Sequence, residues 1–342
     1  MPHGTFLRFI WPSFLAMILF IALPIISVAV QSFFVSHEQV TREVENCGPF
    51  KCETVIQVDV EANAALKAAA PLGKFNSLDT YTNRGHLAFA ELGELWVKSE
   101  SIVGFLKSTY NLPFYKALYF TLAYTAAVTP FVIILGLLIA LGVNRLPKIT
   151  KGPTIFVSLL PMIVTPLIGS LILFWMVDSS GIIGASLQLV FDDPDLSLKA
   201  SRPLTWIMLF IYGIWHSAPF AFVVFYAGLQ TVPSETIEAA KIDGASRWQQ
   251  VRFVVIPYMM PLVVFITLMQ LMDNFRVFEP IVGFSAEAKA SSLSWIIYND
   301  LSGQDKLFGS AAATSMMTII GVCILLLPVL IHTWREFNSR SA

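Results

Sequence analysis

Residues 229–257 read LQTVPSETIEAAKIDGASRWQQVRFVVIP, a polar and charged stretch between two apolar runs. Two short helices with a glycine break fit this pattern. Ser234 can cap the first, with Glu235 and Glu238 near its positive N-terminal end. Gly244 suits the left-handed position that ends a helix. Ser246 with Gln249 three residues on fits a capping box for the second helix, and Pro257 and Pro261 mark entry into the next apolar run. Such an element makes a rigid plug for another protein. An amphipathic linker at a membrane surface fits the same pattern equally well.

The flanking sequence places this stretch at a membrane. A spanning helix needs about 20 mostly apolar residues. Six stretches qualify, at about 9–34, 114–143, 154–177, 204–229, 256–273 and 310–334. Hydrophobic residues make up 56% of the 342-residue chain and charged residues only 13%, against roughly 25% charged in soluble domains. Mean hydropathy is +0.68. A soluble enzyme and a disordered chain are both excluded, and a net charge of −1 implies no nucleic-acid partner. The expected fold is an all-α membrane protein with six transmembrane helices. The apolar core of the first stretch is longer than that of a signal peptide, so it is read as a span.

Lysine and arginine placement sets the orientation. With the N-terminus inside, the inside segments hold nine basic and four acidic residues, and the outside segments thirteen basic and nineteen acidic. Both termini are therefore expected to be cytoplasmic. The chain divides into a tail and first helix (1–34), an extracytoplasmic loop (35–113) and a five-helix core (114–342), with the 230–257 loop cytoplasmic. Cys47 and Cys52 lie in the outer loop, where an oxidising compartment permits a small-loop disulfide. Free thiols or pairing with another chain are the alternatives. No phosphate-binding loop, H-E-x-x-H or G-x-S-x-G occurs, and the histidines lack zinc-ligand spacing.

Polar groups inside a span are costly and usually face a cavity. One cluster is His216, Ser217 and Phe220 around Pro219 in the fourth stretch. The other is Gln270, Asp273, Asn274 and Arg276 in the fifth, with Gln270 and Asn274 on one helical face. Amides, hydroxyls and flat rings together suit carbohydrate. His216 and Arg276 would also suit an anionic sugar. His216 could equally be a core histidine bonded to a neighbouring helix, and Asp273 and Arg276 could mark the outer interface.

Glu238-Ala239-Ala240, Asp243-Gly244-Ala245 and Ile256-Pro257, with Pro233 upstream and Pro261 downstream, resemble the "EAA" loop of binding-protein-dependent ABC importer permeases. The likeness covers about 114–334 and is nearest to type I carbohydrate permeases, including the larger permease subunit of the maltose transporter. Leu160-Pro161, Trp215 and Pro219 fit that pattern, whereas Gly283 and Phe284 stand where the family usually has a Gly-Gly-Pro stretch.

The resemblance implies a translocation subunit of the inner membrane, coupled through Glu238, Ala239, Ala240, Asp243 and Gly244 to separate ATPases. It implies a sugar, oligosaccharide or polyol moved by alternating access, with His216, Ser217, Phe220, Gln270, Asp273 and Asn274 around the substrate. The implied partners are two ATPase subunits, a second related permease and an extracytoplasmic solute-binding protein. No cofactor is expected in this chain, ATP and magnesium belonging to the ATPase. The competing readings are a self-contained secondary transporter and a membrane-anchored enzyme or receptor. The EAA loop separates the first reading from both, since neither needs a protein plug there.

Overall fold

The computed structural model describes residues 2–47, 52–303 and 306–341. Among these, four helices are each long and apolar enough to cross a bilayer: Arg8–Gln31, Pro113–Asn144, Arg202–Leu229 and Phe308–Arg335. Two helix pairs qualify only when each is taken together. Lys148–Ile163 with Pro166–Met176 is bent by 93°, and Arg247–Tyr258 with Met260–Phe275 by 68°. Counted as single spans, they complete six at the expected positions.

The two bends depart from the continuous helices expected; a proline accounts for the first, and the second follows a π-helical segment and lies between two prolines. A residue before proline is pushed out of the helical region. Thr165 precedes Pro166, and the backbone at Val164 and Thr165 is extended, with ψ of 128° and 143°. In the fifth span a π-helical segment, Val251–Val255, leads to a turn at Met259 (φ −85°, ψ 1°). Pro257 and Pro261 flank that turn. Pro261 lies in the first turn of the Met260–Phe275 helix, where its missing N–H leaves nothing unpaired.

The chain forms two compact units. One comprises Lys116–Trp295 and Ile319–Ala342. Phe120, Phe222, Phe225 and Ile266 are fully buried at its centre and come from three of the spans. A Cβ at Gly136 would stand 2.5 Å from the Ala221 Cβ and 2.9 Å from the Phe222 nitrogen, so two spans touch backbone to backbone there. Small residues at such points are what let helices pack in lipid, where burial of apolar surface supplies no drive. Phe131, Ile134 and Leu138 point outward and are exposed, as a hydrocarbon surround permits.

The other unit comprises Met1–Tyr115 and Ile296–Thr318. The segment between the first two spans is folded. Its antiparallel hairpin pairs Thr41–Cys47 with Cys52–Val58, and it carries the helices Val60–Ala69, Phe89–Lys98 and Ile102–Thr109. The backbones of Cys47 and Cys52 face each other in the ladder, but their side chains lie outside the described residues. Two contacts hold the segment to the start of the last span. A Cβ at Gly309 would stand against the Phe34 carbonyl, so only glycine fits that close approach. His86, 2% exposed, puts Nε2 3.0 Å from the Thr314 hydroxyl and 3.2 Å from the Ser310 carbonyl, and Nδ1 3.1 Å from the Asn83 carboxamide oxygen.

Burial holds the His86 ring below the usual histidine value of 6.5. Its contribution to stability is then full above pH 6.5 and is lost as the pH falls below that value, because the unfolded chain binds the proton first. Asp300, whose carboxylate accepts from Ser310, is shifted upward by burial and acts in the opposite sense above its usual 3.8. Limited proteolysis of the 35–113 segment in detergent should accelerate as the pH drops from 7.5 to 5.5, and the H86Q variant should lose that slope. The same profile in both proteins would remove His86 as its cause.

Candidate functional site

Two features of the larger unit carry the sequence-read residues. The first is the 230–257 loop. Ser234–Ile242 is a helix, and it ends in a pair of reversed hydrogen bonds. Gly244 N–H donates to Lys241 at 3.0 Å and Ala245 N–H to Ala240 at 2.9 Å, which closes the helix as a Schellman motif. Gly244 has φ +78° and open space around its Cβ position, so conformation rather than room demands glycine. The expected capping box is present, with Gln249 Oε1 accepting from Ser246 N–H at 2.7 Å and Ser246 Oγ from Gln249 N–H at 3.4 Å. The expected Ser234 cap is not. Pro233 occupies the cap position and Ser234 is the first helical residue, its side chain making no cap bond.

Glu238, Ala239, Asp243 and Gly244 are exposed, and Ala240 is half-buried. Ile242 and Trp248 stand out beside them at 86% and 66% exposure. A tightly closed helical turn presenting apolar side chains to water is a surface shaped for a protein partner.

The second feature is a cleft of about 470 Å³ among the Pro113–Asn144, Pro166–Met176, Arg202–Leu229 and Met260–Phe275 helices and the short Glu279–Gly283 helix. Of the residues expected around a substrate, His216, Ser217, Asp273 and Asn274 line it. Phe220 and Gln270 do not. Phe220 packs toward Phe265, with ring centroids 6.4 Å apart, and Gln270 is buried behind Asn274, accepting from its carboxamide at 3.3 Å. Asn274 Nδ2 also donates to Thr129 at 3.0 Å, so the amide is fixed to a second span. Asn274 is fourteen residues beyond Met260, about 21 Å along the helix.

His216 performs both roles that its sequence allowed. It lines the cleft, and its Nε2 donates to the Val164 carbonyl at 3.2 Å. Four residues earlier on the same face, Tyr212 stacks on His216 at 5.8 Å and donates its hydroxyl to the Pro166 carbonyl at 2.7 Å. These are backbone groups at the break in the third span, met by the fourth. Gly169 leaves room for the Tyr212 phenol, since a Cβ there would stand 2.6 Å from its oxygen. Tyr124 and Glu279 also line the cleft and were missed. The i, i+4 spacing to His216 could have indicated Tyr212. Nothing local marks Glu279, which reaches the cleft by tertiary packing.

Asp273 and Arg276 sit at the end of their helix, about half exposed and paired to each other at 2.8 Å. Where the chain leaves the third span, Asp178 accepts from Lys199 at 2.5 Å. The Lys199 and Ser180 hydrogen bonds hold the Asp178 carboxyl down to about 2.

Residues 101–337 match the family described as "Binding-protein-dependent transport system inner membrane component". The chain belongs to this family and is a multi-pass permease subunit of an ABC importer in the inner membrane. It is 30% identical over 220 residues to the inner membrane ABC transporter permease protein YcjO of Escherichia coli K12, covering 63% of this chain and 73% of that one. It is 31% identical to the multiple sugar-binding transport system permease protein MsmF of Streptococcus mutans, covering 62% and 74%. In fold it resembles a chain of a bacterial ABC transporter that imports the acidic polysaccharide alginate, with a TM-score of 0.60 and 20% identity over 81% of this chain and 97% of that one. The self-contained secondary transporter is not favoured.

Replacing Tyr212 by Phe removes the donor at the break and should cost about 0.5–1.5 kcal/mol. The melting temperature of Y212F in detergent should fall by a few degrees. An unchanged value would show that the break holds without this bond.

Proposed function

We propose that this permease moves a sugar, oligosaccharide or polyol into the cell, driven by two ATPase subunits that grip the 230–257 loop. Glu238, Ala239, Ala240, Asp243 and Gly244 form the coupling surface, with Ile242 and Trp248 as its apolar anchors. Both termini and this loop lie in the cytoplasm. ATP and magnesium are bound by the ATPases, a second related permease completes the pore, and an extracytoplasmic binding protein delivers the substrate. His216, Ser217, Asp273 and Asn274 face the substrate from one side. On the outer face, Cys47 and Cys52 close a short disulfide loop.

The observation that carries the coupling part is the exposed Schellman-closed turn with its two outward apolar side chains. A motion passed between subunits needs a stiff element at the interface, and this turn is stiff. The sugar part is supported by the amide, hydroxyl and imidazole groups gathered in the cleft, and by the likeness to MsmF, a permease of a multiple sugar-binding transport system.

Purification from the native host in mild detergent, followed by mass spectrometry, should recover an ATPase, a second permease and a solute-binding protein. Recovery of the chain alone, in detergent that keeps a known importer intact, would overturn the assembly. Variants E238K and G244D should insert in the membrane yet lose the ATPase and uptake together. A non-glycine residue at φ +78° costs about 1–2 kcal/mol, which distorts the turn without unfolding the spans. Normal ATPase recovery with both variants would refute the coupling role.

A further inference from the structure

The cleft contains three charged side chains: Asp273, Arg276 and Glu279. Arg276 is already engaged. Its Nη2 donates to Asp273 Oδ1 at 2.8 Å, and its Nε donates to the Met272 carbonyl at 3.2 Å. The anion receptor that the sequence pattern offered is therefore neutralised by its own neighbour. His216 Nε2 is likewise committed, to the Val164 carbonyl.

Glu279 remains. Its backbone carbonyl accepts from the Ser170 hydroxyl at 3.4 Å, while its carboxylate has no ion pair or hydrogen bond among the described residues. It is also held in place. Pro280 follows it and is buried, and the Glu279–Gly283 helix is wedged against the third span at Gly283, where a Cβ would stand 2.1 Å from Ser170 Oγ and 2.8 Å from the Leu167 carbonyl. The backbone at Glu279 is therefore fixed at the cleft wall beside Tyr124, Tyr212 and Ser217, and its side chain is exposed.

The cleft lining holds two carboxylates and one guanidinium; the guanidinium pairs with Asp273, which leaves the Glu279 charge without an ion pair among the described residues. That carboxylate repels a uronate and accepts hydrogen bonds from hydroxyl or ammonium groups, bonds roughly twice as strong as neutral ones. We propose that Glu279 is a specificity-determining residue whose carboxylate makes the cleft admit donor-rich, uncharged or amine-bearing sugars and reject acidic ones. This rests on the sugar-permease reading above.

The test uses the full chain in mild detergent with its co-purifying subunits but without the binding protein, whose own selectivity would mask the cleft. Saturation-transfer NMR is read with three probes: maltotriose, a fully deacetylated chitosan trimer and trigalacturonate. The wild type should bind maltotriose or the chitosan trimer and give no signal with trigalacturonate. E279Q should weaken the chitosan trimer by about tenfold, the loss of one charge-assisted bond. E279K should admit trigalacturonate. Wild-type binding of trigalacturonate as strong as that of the other probes, or an unchanged preference in E279Q and E279K, would overturn the proposal and leave the sugar reading standing. If the assembled complex binds none of the three in any variant, the sugar reading fails and takes the proposal with it.

Discussion

A backbone carbonyl inside a bilayer must find a donor within the protein, because hydrocarbon offers none. The larger unit is organised around one place where this requirement bites. The third span breaks before Pro166, and the chain turns by 93°. The fourth span meets the break with two side chains one helical turn apart, His216 to Val164 and Tyr212 to Pro166. Irregular backbone at membrane depth is tolerated where it is buried in protein or lines a cavity, and this break adjoins the polar cleft. The glycine that admits the Tyr212 ring and the two fourth-span side chains at the cleft wall follow from that one requirement.

The fourth span links the two functional features. Its His216 and Ser217 face the cleft, and its C-terminal end at Leu229 leads directly into the loop that carries Glu238 and Gly244. Beyond the loop, the π-helical segment and the turn at Met259 redirect the chain into the helix that supplies Asp273 and Asn274. The loop is therefore continuous, through two helices, with two walls of the cleft. Its own hydrogen bonds close it at Gly244 and Ser246, so it is a stiff turn and not a loose linker.

Polar residues in this unit divide by what they touch. Gln270, Asn274 and Thr129 form a buried amide–hydroxyl network joining two spans, which fixes helix register. Asp273 and Arg276 satisfy each other at a helix end. Glu279 lines the cleft, and its carboxylate has no ion pair or hydrogen bond among the described residues. Polar side chains thus join spans in one place and line the cleft in another, and the difference lies in the neighbours.

Much of this was legible in the residues themselves. Apolar run length located all six spans, since a helix must cover the hydrocarbon thickness wherever the protein goes. The glycine break at Gly244 and the capping box at Ser246 were also local matters, settled by φ preference and by groups three residues apart. The Ser234 cap was misread because Pro233 fits the same cap position. What the residues alone left open were questions of partners: whether His216 faced a cleft or bonded a neighbouring helix, and whether Asp273 and Arg276 faced the cavity or marked the outer interface; the place of Gln270 behind Asn274 was not anticipated. Tyr124 and Glu279 reach the cleft from helices distant in sequence, and no pattern within about one turn reports such a meeting. Local chemistry fixed the spans and the turn at Gly244. Only the packing of helix on helix decided which polar groups were consumed by the protein and which were left lining the cleft, because a hydrogen bond between spans depends on their mutual placement and on no property of either alone.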